Sequence, residues 1–299
     1  MSKVALTEAI QDYLKGIYKL QEAGGRATIT ALAREQGVSA ASASAMVKKL
    51  AALDLLEHEP YRGARLTDAG ERVALEVTAI SMGAYPAVAD RYLLLPHGAS
   101  MGNGYGPVVV AREPLTLDDL RGREIVIPGR LTTAYLALRL AAGENVRVRE
   151  LPFDRILDEV TSGRADVGLI IHEGQLTYRA AGLHKVLDLG EWWLLETGLP
   201  LPLGVNVARR DLGDRLGDVS AVLGEAIRAG LENRDEAMQY ALEFGRGIDV
   251  QTADRFVEMY VNELTCDYGD EGRRAVRELL RRGEEIGAFR EPVNVEFVG

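Results

Sequence analysis

An imidazole and a carboxylate close a short apolar run: residues 166–173 read Asp166-Val-Gly-Leu-Ile-Ile-His172-Glu173, with Ser162-Gly163 before and Gly174 after. A run of this length suits a buried parallel strand. In open α/β sheets ligands lie beyond the carboxyl ends of the strands, so His172 stands where a general base or a ligand contact is expected. A hydrogen-bonded histidine at a strand end fits the same pattern. A second group of reactive side chains lies in Pro128-Gly-Arg-Leu-Thr132-Thr133-Ala134, which places two hydroxyls at the start of a helix just after a strand. Helix N-termini offer unpaired N–H groups and a positive dipole end to anions. An N-cap accounts for one threonine and leaves the other to be explained. Residues 98–107, GASMGNGYGP, lack the G-x-G-x-x-G order because position 107 is proline, so they read as a flexible surface loop and not as a nucleotide cradle.

Composition narrows the chemistry. The 299 residues suffice for two domains with sizeable cores. Neither a membrane span nor a signal-peptide pattern is visible, and a cytoplasmic protein is expected. Cys266 stands alone, and His58, His97, His172 and His184 are too scattered for metal-ligand spacing, so neither a metal nor another cofactor is called for. The net charge is −10, unevenly placed: residues 1–77 hold ten basic and ten acidic side chains, leaving 25 and 35 to residues 78–299. An acidic second segment disfavours nucleic-acid binding there.

The elements that must position these groups fall into two sets. From Leu6, the positions Ile10, Tyr13, Leu14, Ile17 and Tyr18 have helical spacing up to Gly24-Gly25. Thr30 is a cap for a helix over 31–36. Ser39 is a cap for a third helix with Ala43, Met46, Val47, Leu50 and Leu53 inward. Residues 55–59 and 64–66 around Pro60-Tyr61-Arg62-Gly63 read as a hairpin, and helical character resumes over 68–77. Three helices and a hairpin describe a winged helix-turn-helix domain over 1–77. Strand-like runs then follow at 92–95, 108–110, 125–127, 146–149, 167–171, 186–189 and 205–208, with helical patterns between most of them. Such alternation implies parallel, covered sheets in an α/β domain over 78–299. Beyond residue 211 the chain reads as helical, with Val222, Ala226 and Ile227, then Phe256, Met259 and Tyr260, then Val276, Leu279 and Leu280 as core faces.

The runs LTEAIQDYLKGIYKLQE and ITALAREQGVSAASASAMVKKLAALDLLEHEPYRGARLTDAGERVALEV resemble the N-terminal domain of the iron- and manganese-dependent repressor family related to the diphtheria toxin repressor. The resemblance implies a third helix in the major groove and a wing on the DNA backbone. It puts Ser39, Ala40, Ala41, Ser42, Ser44 and Ala45 towards the bases, and Lys48, Lys49, Arg62 and Arg65 towards phosphates. That face has no Arg, Asn or Gln for bidentate base contacts. Asp12 matches an acidic position of the family, whereas Lys15 stands where a carboxylate is expected, and no later His/Glu set follows. Metal regulation is therefore not expected.

Further on, TAISMGAY, GYGPVVVAR, IPGRLTTAYLAL, FDRIL, ADVGLIIHEGQLTY, DLGEWW, TGLPLPLG and YVNELTCDYGDEG resemble the 1,4-dihydroxy-6-naphthoate synthase family of the futalosine route to menaquinone. The resemblance implies a two-lobed fold like that of periplasmic binding proteins, its second lobe near residues 113–203, with the substrate between the lobes. It implies a lyase that converts cyclic dehypoxanthinyl futalosine into 1,4-dihydroxy-6-naphthoate without metal or nucleotide. Carried over, His172 is the proton acceptor, and Ala79, Ile80 and Ser81 with Thr133 and Ala134 hold the substrate. Glu173 is a candidate for orienting His172.

The chain departs from that family at its start. The family's first strand, Ser-Pro-Cys-Pro-Asn-Asp loop, helix and second strand have no counterpart, and the repressor-like segment stands in their place, with the exchange near Glu76 and Val77. An incomplete first lobe is expected, with unpaired backbone where the strand belongs inside its sheet. Three readings follow: a synthase with impaired activity, a DNA-binding regulator with a ligand-sensing domain, and an inactive chimera.

Overall fold

Apolar residues at helical spacing build α1 (Glu8–Glu22), α2 (Ile29–Glu35) and α3 (Ala40–Ala52), and the hairpin that follows is β1 (Leu56–Glu59) against β2 (Gly63–Leu66). The computed structural model describes residues 8–22, 26–52, 54–59, 63–67, 76–143, 146–235, 237–238 and 250–299. The chain divides into two units, Met1–Thr78 and Ala79–Gly299. In the first, Leu14 and Ile17 of α1, Leu32 of α2, Val47 and Leu50 of α3, and Leu56 and Leu66 of the hairpin bury one another. Each such side chain stabilises the unit by ~1.5–3 kcal/mol relative to exposure. The hairpin is antiparallel, with Leu56 opposite Leu66 and Glu59 opposite Gly63, and Ala27 bridges to Ala64 beside it.

Two helix starts differ in kind. Ser39 caps α3 by accepting from the Ser42 N–H at 3.1 Å. The cap of α2 is Thr28, not Thr30: its hydroxyl accepts from the Ala31 N–H at 3.2 Å. Starting the helix at Ile29 turns Leu32 and Ala33 into the core. Lys15 is ion-paired with Glu76 at 3.0 Å. The side chain of Asp12, Leu53, the wing tip with Arg62, and residues 68–75 of the expected helix lie outside the described residues.

In the second unit β3 (Val77–Ser81), β4 (Tyr92–Leu94), β5 (Ser100–Gly102) and the nine-residue β11 (Leu201–Arg209) make one sheet. Its order is β3-β11-β4, with β5 also on β11. The C-terminal residues run along β4, where Leu94 N–H donates to Glu296 O at 3.0 Å and Val298 N–H donates to Leu94 O at 2.8 Å. Among the described residues the long β11 touches all three partners without a gap between them, and β3 forms the end of the sheet.

The other sheet has the order β10-β6-β9-β7-β8, from β6 (Val108–Ala111), β7 (Glu124–Ile127), β8 (Arg147–Glu150), β9 (Val167–Ile170) and β10 (His184–Asp188). It takes in β6, ahead of residue 113. The helices α4 (Thr133–Ala142) and α5 (Phe153–Thr161) link β7 to β8 and β8 to β9, and these three strands are parallel. The all-parallel expectation fails in both sheets: β6 runs antiparallel to both β9 and β10, and β11 runs antiparallel to β4 and β5. β6 enters from β5, a strand of the other sheet, so no crossover helix from a neighbour in its own sheet sets its direction. Both faces are covered. Val126 and Ile170 pack with Ile156 and Val160 of α5, while Ile125, Ile127, Val167 and Leu169 join Leu136 and Ala137 of α4 in the largest core.

Further helices complete the unit: α6 (Gly174–Thr177), α7 (Leu189–Thr197), α8 (Leu216–Glu232), α9 (Val250–Tyr260), α10 (Glu263–Cys266) and α11 (Gly269–Glu285). Val276, Leu279 and Leu280 of α11 are buried as expected. On α8 the expected face is turned away: Val222 is 66% exposed, and Ser220 and Gly224 are the buried residues, with the His97 ring against Gly224. The glycine-rich stretch is not a loose loop. Met101 is fully buried, β5 pairs with β11, and a Cβ at Gly102 would lie 2.0 Å from the Tyr105 carbonyl oxygen. No helix among the described residues is long and apolar enough to cross a membrane.

Candidate active site

His172 follows β9, an interior strand whose four residues are all buried. Its side chain is 13% exposed. Nε2 lies 2.9 Å from the Phe153 carbonyl oxygen at the start of α5, and Nδ1 lies 2.9 Å from the Gly174 amide nitrogen at the start of α6. A carbonyl only accepts and an amide N–H only donates, so the partners assign the tautomer: Nε2 carries the hydrogen and Nδ1 the accepting lone pair. The ring also leans on the Phe153 ring, centroids 5.5 Å apart. Glu173 Oε2 is 3.6 Å from Nδ1, beyond hydrogen-bond reach.

The turn after His172 is anchored from the C-terminal helices. Gln175 of α6 is buried, and its Oε1 accepts from the Tyr260 hydroxyl at 2.7 Å. Burial pushes the Tyr260 phenol up, so it stays protonated and keeps donating. Tyr105, from the glycine-rich stretch, packs edge-on against Tyr260 and donates from its hydroxyl to the Met259 carbonyl. These partners carry no sequence motif of their own beyond the runs quoted for the family.

A second cluster joins β3 to α4. The Thr132 hydroxyl caps α4, accepting from the Tyr135 N–H at 3.2 Å and donating to Gly129 O at 2.8 Å. Thr133 has a different task. It is buried, and its Oγ1 donates to Leu203 O of β11 at 2.8 Å and accepts from the Gly83 N–H at 3.0 Å. Ser81 Oγ accepts from the Thr133 N–H at 2.7 Å and lies 2.9 Å from Thr133 Oγ1. With the threonine hydrogen committed to Leu203, the serine hydroxyl is the donor in that pair. Three segments are thereby tied together by two hydroxyls.

The carried-over substrate residues divide accordingly. Ser81 and Thr133 meet; Ala134 is buried beside them, Ile80 is buried in the main core, and Ala79 is exposed on β3. The hydrogen bonds of His172 go to Phe153 and Gly174 and not to the Ser81–Thr133 pair. Gly83, Leu203 and Phe153 hold these side chains through backbone atoms, and their residue types give no signal of it.

In the first unit the candidate DNA face is open. Ser39, Ala40, Ala41, Ser42, Ala45, Lys48 and Lys49 are exposed on or just before α3, Ser44 is half-buried, and Arg65 is exposed opposite Glu57 on the hairpin. The Ser39 and Ser42 hydroxyls bond each other at 2.9 Å. Arg26 reaches Glu59 at 2.6 Å, placing acidic partners on the same hairpin.

Known proteins match both units. The family model for menaquinone biosynthesis matches residues 43–285, and that for the iron dependent repressor, N-terminal DNA binding domain, matches residues 5–64. The shared residues, 43–64, belong to α3 and the hairpin. A 1,4-dihydroxy-6-naphthoate synthase of Streptomyces coelicolor is 40% identical over 223 residues, 73% of this chain and 78% of the relative. That of Thermus thermophilus is 44% identical over 217 residues, 71% and 78% of the two chains. The transcriptional regulator MntR of Oceanobacillus iheyensis is 37% identical over 67 residues, 22% of this chain and 46% of the regulator. Among solved structures, a protein of Archaeoglobus fulgidus is 44% identical with a TM-score of 0.67, covering 72% of this chain and 81% of that one. The ligand-binding component of an ABC-type import system from Staphylococcus aureus, 12% identical, superposes with a TM-score of 0.58 over 78% and 81% of the chains. The second unit thus has the fold of periplasmic binding proteins.

Proposed function

The chain belongs to the menaquinone biosynthesis family, and on that premise we propose that it is a 1,4-dihydroxy-6-naphthoate synthase acting on cyclic dehypoxanthinyl futalosine, with His172 as general base. The observation that carries this reading is the fixed tautomer. Nε2–H is held by Phe153 O, so the basic nitrogen is Nδ1, on a ring set at the end of an interior strand. The base abstracts a proton beside a carbonyl-like centre of the substrate. In this reading Thr133 and Ala134, at the start of α4, are the substrate contacts carried over from the family.

Turnover is slow in this reading. The Ser81 and Thr133 hydroxyls are engaged with one another and with Leu203, β3 ends its sheet, and each synthase relative extends beyond the matched part by about a fifth of its length. A base without the opposing wall of its cleft loses the orientation that makes proton transfer fast. The test is product formation by the purified full chain: naphthoate release that His172→Ala abolishes supports the reading, and release that survives the substitution refutes it. The protein acts in the cytoplasm and needs no metal.

The exposed α3 face favours a second role for the first unit, binding DNA through Lys48 and Lys49 with Ser39 and Ser42 nearest the bases. Deleting one lysine that pairs with a phosphate reduces the slope of log affinity against log salt by about one. Titration of a promoter fragment at several salt concentrations should show that slope fall by about two in the double variant Lys48→Ala/Lys49→Ala. An unchanged slope would remove these lysines from the interface.

A further inference from the structure

We propose that Glu173 is a positioning residue for the proton transfer at His172, receiving the imidazolium ring as it forms. The inference rests on the synthase reading for its kinetic consequence and on the geometry alone for its structural one. Nε2 already carries a hydrogen donated to Phe153 O, so an incoming proton can only go to Nδ1. That nitrogen's lone pair is occupied by the Gly174 N–H at 2.9 Å. Once Nδ1 is protonated, two N–H groups face each other across that distance, and an attractive contact becomes a repulsive one.

The Gly174 amide must therefore yield, and Nδ1–H needs a new acceptor. The Glu173 carboxylate is the neighbour placed for it. Oε2 lies 3.6 Å from Nδ1, and among the described residues this carboxylate has no other ion pair and no side-chain hydrogen bond. Its side chain is 30% exposed, so its charge is partly shielded from water and its pull on the ring is stronger than at an open surface. A shift of about 0.7–0.9 Å in the ring or the carboxylate closes a charge-assisted hydrogen bond. In the step itself the substrate C–H bond breaks, its electron pair stays on the substrate towards the adjacent carbonyl, and the proton ends on Nδ1. Nothing is oxidised or reduced. Glu173 gains no proton; it pairs with the charge that appears beside it.

Gly174 supplies the other half of the exchange. A Cβ there would lie 2.8 Å from His172 Cε1 and 2.9 Å from Ile170 Cγ2, so only glycine lets the first amide of α6 approach the ring this closely. The amide holds the neutral ring in register and the carboxylate holds the charged one.

Two measurements on the full chain test this. In steady-state assays Glu173→Gln should lower kcat by about 10- to 100-fold, the loss of a hydrogen bond to a charged group, with KM within about twofold because the bond forms only as the charge develops, and Glu173→Asp should recover part of the loss. Nitrogen-15 NMR of histidine-labelled protein needs no turnover. The neutral wild-type ring should show the Nε2–H tautomer. On acidification the Gly174 amide should shift and a solvent-protected Nδ1–H should appear, and Glu173→Gln should lose that protected proton. Retention of kcat by the Gln variant within twofold, or a Gly174 amide and Nδ1–H indifferent to position 173, would overturn the proposal. If the wild type forms no product while the NMR exchange occurs as described, the synthase reading fails and the role of Glu173 stands.

Discussion

The two sides of the candidate active site use the same device, a polar side chain bound to backbone atoms, to opposite effect. At His172 each ring nitrogen has one partner: Phe153 O fixes the hydrogen on Nε2, and a single amide, Gly174 N–H, holds the lone pair of Nδ1. At Thr133 nothing is left over. Its hydroxyl donates to Leu203 O and accepts from Gly83, and Ser81 closes the set by bonding both the amide and the hydroxyl of the threonine. Hydrogen bonding to structure can therefore prepare a group for chemistry or withdraw it from chemistry, and the number of partners on the reacting atom, one at His172 Nδ1 and three at Thr133 Oγ1, separates the two.

The sharpest way to break the contrast is Gly174→Ala. The added methyl group meets the imidazole and Ile170 below 3.0 Å, so the ring must move while the helix itself tolerates alanine. A misplaced catalytic group costs on the order of 10²-fold, and kcat should fall by that much with only a small change in melting temperature. A kcat within threefold of wild type would mean that ring placement does not limit turnover. A smaller effect is expected from Thr133→Val, which keeps the shape and deletes the hydroxyl. Leaving Gly83 N–H and Leu203 O unpaired should destabilise the protein by roughly 1–3 kcal/mol. Calorimetry should then show a lower melting temperature, with KM raised less than kcat is lowered. The reverse pattern, a large rise in KM at unchanged melting temperature, would show Thr133 to be a direct substrate contact.

Much of the base side is legible in the sequence because local rules govern it. An apolar run of strand length ending in His172 implies a buried strand with a polar terminus, and β9 is that strand. That one of the two threonines caps a helix is legible too, and Thr132 is the one. The partners of Thr133 and His172 are not legible, since Leu203 and Phe153 act through carbonyls 70 and 19 residues away and any residue type offers a carbonyl. Strand direction at β6 is hidden for a similar reason: it depends on the connection, and β6 is entered through a glycine-rich stretch and not through a helix. That stretch reads as loose because glycine serves both flexibility and close packing, and the Tyr105 carbonyl against Gly102 shows the second use. On α8 the apolar pattern points outward through Val222 because Gly224 gives the His97 ring a closer approach than a larger residue permits.

Steady-state turnover of cyclic dehypoxanthinyl futalosine by this chain, measured beside the Thermus thermophilus relative under one set of conditions, weighs a prepared base against a withdrawn opposite wall most directly. The base should give product that depends on His172, with His172→Ala costing at least ~10²-fold as expected for loss of a general base, at a kcat/KM well below that of the relative. Parity with the relative, or product formation indifferent to His172→Ala, would refute it.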